Sequence, residues 1–555
     1  MSGVGRIGEE YWEWVLRNQP QYATFLGDHR YNAQLPRIGA EDIELQRSEL
    51  AAFLKRLKGI DPRTLSGSDG VSRDILIFTI GAAIREIDFG FHLWSVDQMA
   101  GPQVWLAELM NYHPLRDEKD VRDLLARFRA FPEYIDRYIA NLKEGISVGR
   151  VAPKVAVARV VGQLKGLLSV APERSPFALP VGGLPADAKP LGGAVLAAIR
   201  DDLYRAYVKL LAYLEGDYLA AARDQDGVWA TRGGSEAYAF RARYHTTTGL
   251  APDRIHEIGL EEMRSISAEM RRTAAKLGKG GDLPSFLAKV KADRSNRWPT
   301  GREIVAHFER ILAKATAALP EWFGTVPKTP CIVKRIEAYR ERDCPAAYYC
   351  QPPEDLSRPG IFYVNTHEPA KRLKMNNAAL AIHEAVPGHH LQMAISCERR
   401  SLPAWRRNVS FTAFVEGWAL YSERLGDEMG LYEDDLERFG MLTYQAWRAC
   451  RLVVDTGLHA KRWTRKMAIE FFRSHVALSE MEIVNEVDRY IVWPGQALSY
   501  MIGQREISRL RAQAQRKMGA RFDIRRFHDV VLRDGALPLS ILGRNVRRWA
   551  EKEKP

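Results

Sequence analysis

Apolar residues at helical spacing recur through nearly the whole chain, which restricts it to a predominantly α-helical fold. DVRDLLARFRAFPEYIDRYIANLKEG (Asp120–Gly145) places them on one helical face and closes on a glycine, a stop signal. LAAIRDDLYRAYVKLLAYLEGDYL (Leu196–Leu219) repeats the pattern. LPVGGLPADAKPLGG (Leu179–Gly193) and LGKGGDLP (Leu277–Pro284) read as loops between helices. Strand candidates are rare; the best is GIFYVNT (Gly360–Thr366), apolar and β-branched. The expectation is a mainly α architecture with a small sheet. At 555 residues the chain exceeds one usual compact core. Two lobes are expected, 1–245 and 246–555, unless the two run together as one elaborated domain.

Composition narrows the class. Hydrophobic residues make up 46% and charged residues 27%, the balance of a soluble globular protein. No apolar run reaches the roughly 20 residues of a membrane-spanning helix, and the first residues lack a signal-peptide pattern. Five cysteines without Cys-x-x-Cys spacing argue against a disulfide framework or a thiolate zinc site. A cytoplasmic protein with no membrane partner is expected. The net charge of +12 raises the question of nucleic acid, but the basic residues are scattered among acids and no nucleic-acid motif accompanies them. No nucleic-acid partner is expected; a milder use of the charge is attraction of carboxylate-bearing substrates.

AIHEAVPGHHLQ (Ala381–Gln392) carries the chemistry. It opens like the zinc-hydrolase motif His-Glu-x-x-His, but Pro387 stands where the second histidine belongs. Zinc catalysis needs three protein ligands, an open position, and a carboxylate to take a proton from water. On a regular helix His383 and His390 share a face yet lie about 10 Å apart along the axis. Ligands that must each lie about 2 Å from one ion cannot tolerate that. His383 and His389 point in different directions on such a helix. Either pair needs a broken helix, and Pro387-Gly388 supplies the break: proline clashes with the His383 carbonyl, and glycine admits angles other residues avoid. A bulge absorbing two extra residues would return His389 to the missing position. His390 stays open as the alternative, as does a pair of ordinary helix histidines.

FVEGWALYSERL (Phe414–Leu425) offers a third ligand in Glu416, with Glu423 seven residues on and on the same face. An acid among Phe414, Trp418 and Tyr421 must be paired or ligated if buried. The competing reading is an ion pair with an arginine.

With these residues in view, the chain resembles a bacterial family filed as domain of unknown function 885. HEAVPGHHLQ, FVEGWALYSE, VVDTGLHAKRW (Val453–Trp463) and RYIVWPGQALSYMIGQ (Arg489–Gln504) resemble its signature blocks. GDHRYN (Gly27–Asn32), RYHTTTGL (Arg243–Leu250) and FHDVVLRDGALPL (Phe527–Leu539) resemble its flanking blocks. The resemblance implies a helical, two-lobed metallopeptidase-like fold, similar in outline to gluzincins such as angiotensin-converting enzyme and thermostable carboxypeptidases. It implies Zn2+ held by His383, His389 and Glu416, with Glu384 as general base. Many relatives start with a secretory or lipoprotein signal; this chain does not, so their location is not carried over.

The remaining blocks suggest supporting roles. His459, Tyr490 and Tyr500 are candidate oxyanion donors, since related helical peptidases use a histidine or tyrosine there; core packing competes for each tyrosine. Asp455, four residues before His459, would orient that imidazole or a ligand, as would Glu423, unless Asp455 caps structure or pairs with Arg451. GIFYVNT could serve as an edge strand for a substrate backbone, with Tyr363 and Asn365 in contact, or be purely structural. Arg448, Arg489 and Arg505 are candidates for a substrate carboxylate, with Arg489 taken forward. GISVG (Gly145–Gly149) matches a nucleophile elbow, but a helix precedes Ser147 where the elbow needs a strand. The expected function is zinc-dependent hydrolysis of amide bonds in short peptides. Hydrolysis of a non-peptide amide, or a non-catalytic binding protein, is the alternative. A homodimer is possible on this reading.

Overall fold

The computed structural model describes all residues except 1, 279–281, 338–340, 342–343, 354, 357, 477 and 553–555. The protein is mainly α. The chain divides into two compact units, Met1–Ala237 with Arg462–Arg465, and Tyr238–Lys461 with Lys466–Pro555.

The first unit is built from helices. Its longest, α1 (Glu118–Ser147), starts where the Asp117 carboxylate accepts the Asp120 N–H at 2.9 Å. Leu124, Phe128, Phe131, Ile135 and Leu142 form its buried stripe, at the period read from the sequence. They meet Val157 and Leu164 of α2 (Lys154–Leu168), together with Tyr207 and Leu210. α1 runs past Gly145, the expected stop. A Cβ at that glycine would lie 2.1 Å from the Leu93 carbonyl oxygen, so it serves a close approach and does not end the helix. Ser147 closes α1 with its hydroxyl on the Glu144 carbonyl, and no strand precedes it. The segment expected as one helix from Leu196 to Leu219 is a helical run with wider π turns at Ile199–Tyr204 and Leu214–Tyr218.

In the second unit, α3 (Pro252–Lys276) is followed by a connection shorter than the loop expected at Leu277–Pro284, since Asp282 caps a helix that starts at Leu283; residues 279–281 lie outside the described residues. Next come α4 (Gly301–Trp322) and three short strands, β1 (Cys331–Arg335), β2 (Ala347–Cys350) and β3 (Gly360–Val364). The sheet order is β1-β3-β2, with β3 parallel to β1 and antiparallel to β2. The strand read from GIFYVNT is therefore central: both its edges are taken, and no substrate backbone can pair with it.

Helices α5 (Asn377–Glu384), α6 (His389–Glu398), α7 (Thr412–Glu428), α8 (Asp435–His459), α9 (Glu480–Val492) and α10 (Ser499–Met518) complete the part that matters for chemistry. Ile304, Phe308 and Ile311 of α4, Phe362 and Val364 of β3, and Ala378 and Ala381 of α5 share one apolar core. That core seats α5 between sheet and helix. α7 crosses α10 at two glycines: a Cβ on Gly417 would lie 2.5 Å from the Gly503 Cα, and one on Gly503 would lie 1.9 Å from the Ala413 carbonyl oxygen. This contact sets Glu416 of α7 beside the first turn of α10. Among the described residues no helix is long and apolar enough to cross a membrane.

Candidate metal centre

The proline-glycine break divides the histidine motif between two helices. α5 ends at Glu384; Ala385 (φ −104°, ψ −100°) and Gly388 (φ −77°, ψ −126°) leave helical geometry, and α6 starts at His389. A Cβ on Gly388 would lie 2.0 Å from the His383 carbonyl oxygen, so this turn admits only glycine. The Pro387 carbonyl accepts from Trp418 Nε1 at 2.9 Å and from the Ser422 hydroxyl at 3.3 Å, tying the turn to α7.

This geometry brings His383 and His389 together although they are six residues apart. Glu416 Oε2 lies 3.5 Å from His383 Nε2 and 3.6 Å from His389 Nε2. One donor atom from each of the three residues falls within 4.8 Å of the others. Tetrahedral ligands at zinc's usual bond lengths sit about 3.3 Å apart, so the set fits one such ion. His383 and His389 side chains are 4% and 9% exposed and that of Glu416 is 20%, so the cluster opens on the glutamate side.

Charge is balanced within the cluster. Burial opposes ionisation of Glu416, but hydrogen bonds and charge from His383 and His389 hold it well below the carboxylate range. Burial likewise disfavours a charged His383, yet Glu416 and Glu423 lift it to about 9. His383 Nδ1 donates to Glu423 Oε1 at 2.8 Å, which leaves Nε2 to face the other donors. Glu423 is fully buried. Its other oxygen accepts from Gln445 Nε2 at 3.0 Å, and Gln445 Oε1 accepts from Gln504 Nε2 at 2.8 Å. Glu423 thus orients the His383 imidazole. Gln445 and Gln504 were not read from sequence; their signal is a glutamine inside an otherwise apolar helical face.

His390 turns away. Its Nδ1 meets the Tyr349 hydroxyl at 3.0 Å and its Nε2 the Thr329 carbonyl at 3.1 Å, and burial lowers it to about 4. Both nitrogens of this neutral ring are occupied. Glu384 Oε2 accepts the Tyr349 N–H of β2 at 3.1 Å.

Of the expected oxyanion donors, Tyr500 is the one whose hydroxyl feels the charge of Glu416. Burial and then the charge of Glu416 raise its hydroxyl, while Arg451, Arg489 and Arg448 oppose the shift. The Tyr490 hydroxyl is committed: it accepts from Arg451 Nε at 3.0 Å and donates to Glu486. His459 Nε2 donates to the Tyr490 carbonyl at 2.9 Å, and its ring lies 5.1 Å from that of Tyr238. It sits fourteen residues beyond Gln445 on α8, about 21 Å along the axis, and does not reach the cluster. Asp455 does not orient it; the Asp455 carboxylate accepts the Tyr238 hydroxyl at 2.7 Å and the Gly495 N–H at 3.1 Å.

The expected substrate contacts also move. Asn365 is 2% exposed, and its amide donates to the Glu341, Cys344 and Pro345 carbonyls, so it braces a loop. Tyr363 stacks on Tyr348 at 5.0 Å within the sheet. Arg489 is bound to Glu486 and Gln496. Arg505 pairs with Glu262.

A solved chain described as a candidate lipoprotein from Colwellia psychrerythraea is similar throughout, with a TM-score of 0.93, 29% identity and 100% of both chains covered. A candidate lipoprotein of unknown function from Shewanella oneidensis shares the fold at a TM-score of 0.80 and 18% identity, covering 98% of this chain and 99% of that one. No curated protein matches the sequence. The family model for bacterial proteins of unknown function, DUF885, matches residues 20–546. That span contains His383, Glu384, His389, Glu416 and Tyr500 alike, and the chain belongs to this family.

Proposed function

We propose that the protein is a zinc-dependent hydrolase of amide bonds in short peptides or peptide-like molecules. One observation carries the reading: two imidazole nitrogens and a carboxylate oxygen converge at ion-binding spacing, and a further carboxylate, Glu384, directly follows the first histidine. His383, His389 and Glu416 would hold the ion, and a nitrogen-and-oxygen donor set of this kind suits zinc. A bound zinc would supply Lewis acidity there, polarising a carbonyl and lowering the pKa of water to about 7.

The chain's own groups do the rest. Glu384 takes a proton from the attacking water and returns it to the departing amine, so OH ends on the acyl carbon and H on nitrogen as the C–N bond breaks. The Tyr349 N–H holds Glu384 in place from β2, the sheet edge on this side, along which an extended substrate would run. The Tyr500 hydroxyl donates to the charge that develops on the carbonyl oxygen.

Elemental mass spectrometry on protein purified without added metal tests the first half. About one zinc per chain is expected, lost in His389→Ala and Glu416→Ala and kept in His390→Ala. No zinc after reconstitution overturns the reading. Glu384→Gln is expected to keep zinc while hydrolysis of a short-peptide panel falls by about 10²- to 10⁴-fold. Turnover of simple aryl amides with none of peptides would replace the peptide substrate class.

A further inference from the structure

One face of α8 carries Tyr444, Trp447, Arg448 and Arg451 at helical spacing. Arg448 is 6% exposed, and its Nε and Nη1 are buried without a hydrogen-bond partner. Among the described residues no carboxylate pairs with it. Its guanidinium lies over the rings of Tyr444 at 4.7 Å and Trp447 at 4.5 Å, which hold it in place without supplying an acceptor. Arg451, one turn on, is only partly satisfied: Nε reaches Tyr490 and Nη2 reaches Glu486 at 3.0 Å, while Nη1 is buried without a partner. Glu486 is shared with Arg489, so one carboxylate serves two guanidinium groups and none serves Arg448 among the described residues. Glu482, another acid on this side, is spent on capping α9 through Ser479.

This excess positive charge adjoins the candidate metal centre. Arg448 is three residues from Gln445, the partner of Glu423, so one helical turn separates it from the support of His383. The Tyr500 hydroxyl is within electrostatic reach of both Glu416 and Arg448. The Tyr444 hydroxyl is within reach of Arg448, Glu423 and Glu384. Arg451 covers the Tyr500 ring at 4.3 Å. A buried guanidinium without an acceptor is costly, and a ligand that brings a carboxylate removes that cost with two parallel N–H···O bonds.

We propose that Arg448, with the free Nη1 of Arg451 beside it, binds a carboxylate of the substrate, so that this hydrolase selects amides carrying an anionic group close to the scissile bond. The proposal rests on the amide-hydrolase reading for the site as a whole, but the anchor needs no metal to bind its ligand. Its test is therefore made by calorimetry on metal-free and zinc-loaded protein. The probes are N-acetyl-phenylalanine, its C-terminal amide, and N-acetyl-aspartyl-phenylalanine amide, whose only carboxylate is on a side chain.

The free acid is expected to bind about 10- to 100-fold more tightly than its amide, the usual range for charge-assisted hydrogen bonds. Arg448→Gln should abolish the difference, and Arg448→Lys should restore part of it. Equal binding of acid and amide by the wild type, or a preference that survives Arg448→Gln with an unchanged circular dichroism spectrum, overturns the proposal. Tight binding of the aspartyl amide supports it with a side chain as the source of the carboxylate; weak binding of that probe supports it with the chain terminus as the source. Preference for the acid in a protein that hydrolyses nothing would sustain the anchor and sink the hydrolase reading.

Discussion

Replacing Glu423 by glutamine keeps the shape of the side chain and removes its charge. The wild-type carboxylate accepts on both sides, from His383 Nδ1 at 2.8 Å and from Gln445 Nε2 at 3.0 Å, and is completely buried. An amide accepts on one side only. If its oxygen keeps His383, its NH2 faces the NH2 of Gln445. Turning Gln445 over then breaks the 2.8 Å bond from Gln504 to Gln445. One buried donor or acceptor is left unsatisfied in either arrangement, at a cost of about 1–3 kcal/mol. Loss of such a carboxylate behind a histidine ligand weakens metal binding by about 10- to 100-fold, or about 1.4–2.7 kcal/mol. Competition with a chelator of known zinc affinity measures this directly, and a denaturant melt of the metal-free protein measures the stability cost. Wild-type zinc affinity in Glu423→Gln, with zinc still lost in His389→Ala, would refute the role assigned to Glu423.

Two further outcomes follow from the geometry. Gly388→Ala places a methyl 2.0 Å from the His383 carbonyl oxygen, so a destabilisation of about 1–3 kcal/mol and a loss of bound zinc are expected; a wild-type melt and metal content would count against the turn described above. Burial raises Asp455 to about 7, against hydrogen bonds from Tyr238 and Gly495. The unfolded carboxylate ionises near 4, so between about 4 and about 7 only the folded state holds the proton, and stability falls by about 1.4 kcal/mol per pH unit as pH rises. Urea melts across that window should show the slope in the wild type and a flatter profile in Asp455→Asn; equal slopes would place the titration elsewhere.

Much of the candidate metal centre was legible along the chain because its signals are local. Helical spacing, an acid next to a histidine, and a Pro-Gly pair that forbids continuation of α5 are properties of neighbouring residues. The same locality misled at His459, Asp455 and Asn365. Each is the right residue type for a site, but its role depends on which partner packs opposite. His459 is carried away from the cluster by the length of α8. Asp455 meets Tyr238 and Gly495 from distant parts of the chain. GIFYVNT was recognisable as a strand, but its central position depends on β1 and β2 pairing with it on either side.

By itself, then, the sequence determined the helical class and the residue types of the candidate ligands, since periodicity and spacing act over a turn or two. Only the tertiary structure decided that His389 and not His390 faces Glu416, since His390 is claimed by Tyr349 and Thr329. It alone showed Arg448 buried without a carboxylate, because whether a charge is neutralised depends on every element packed around it.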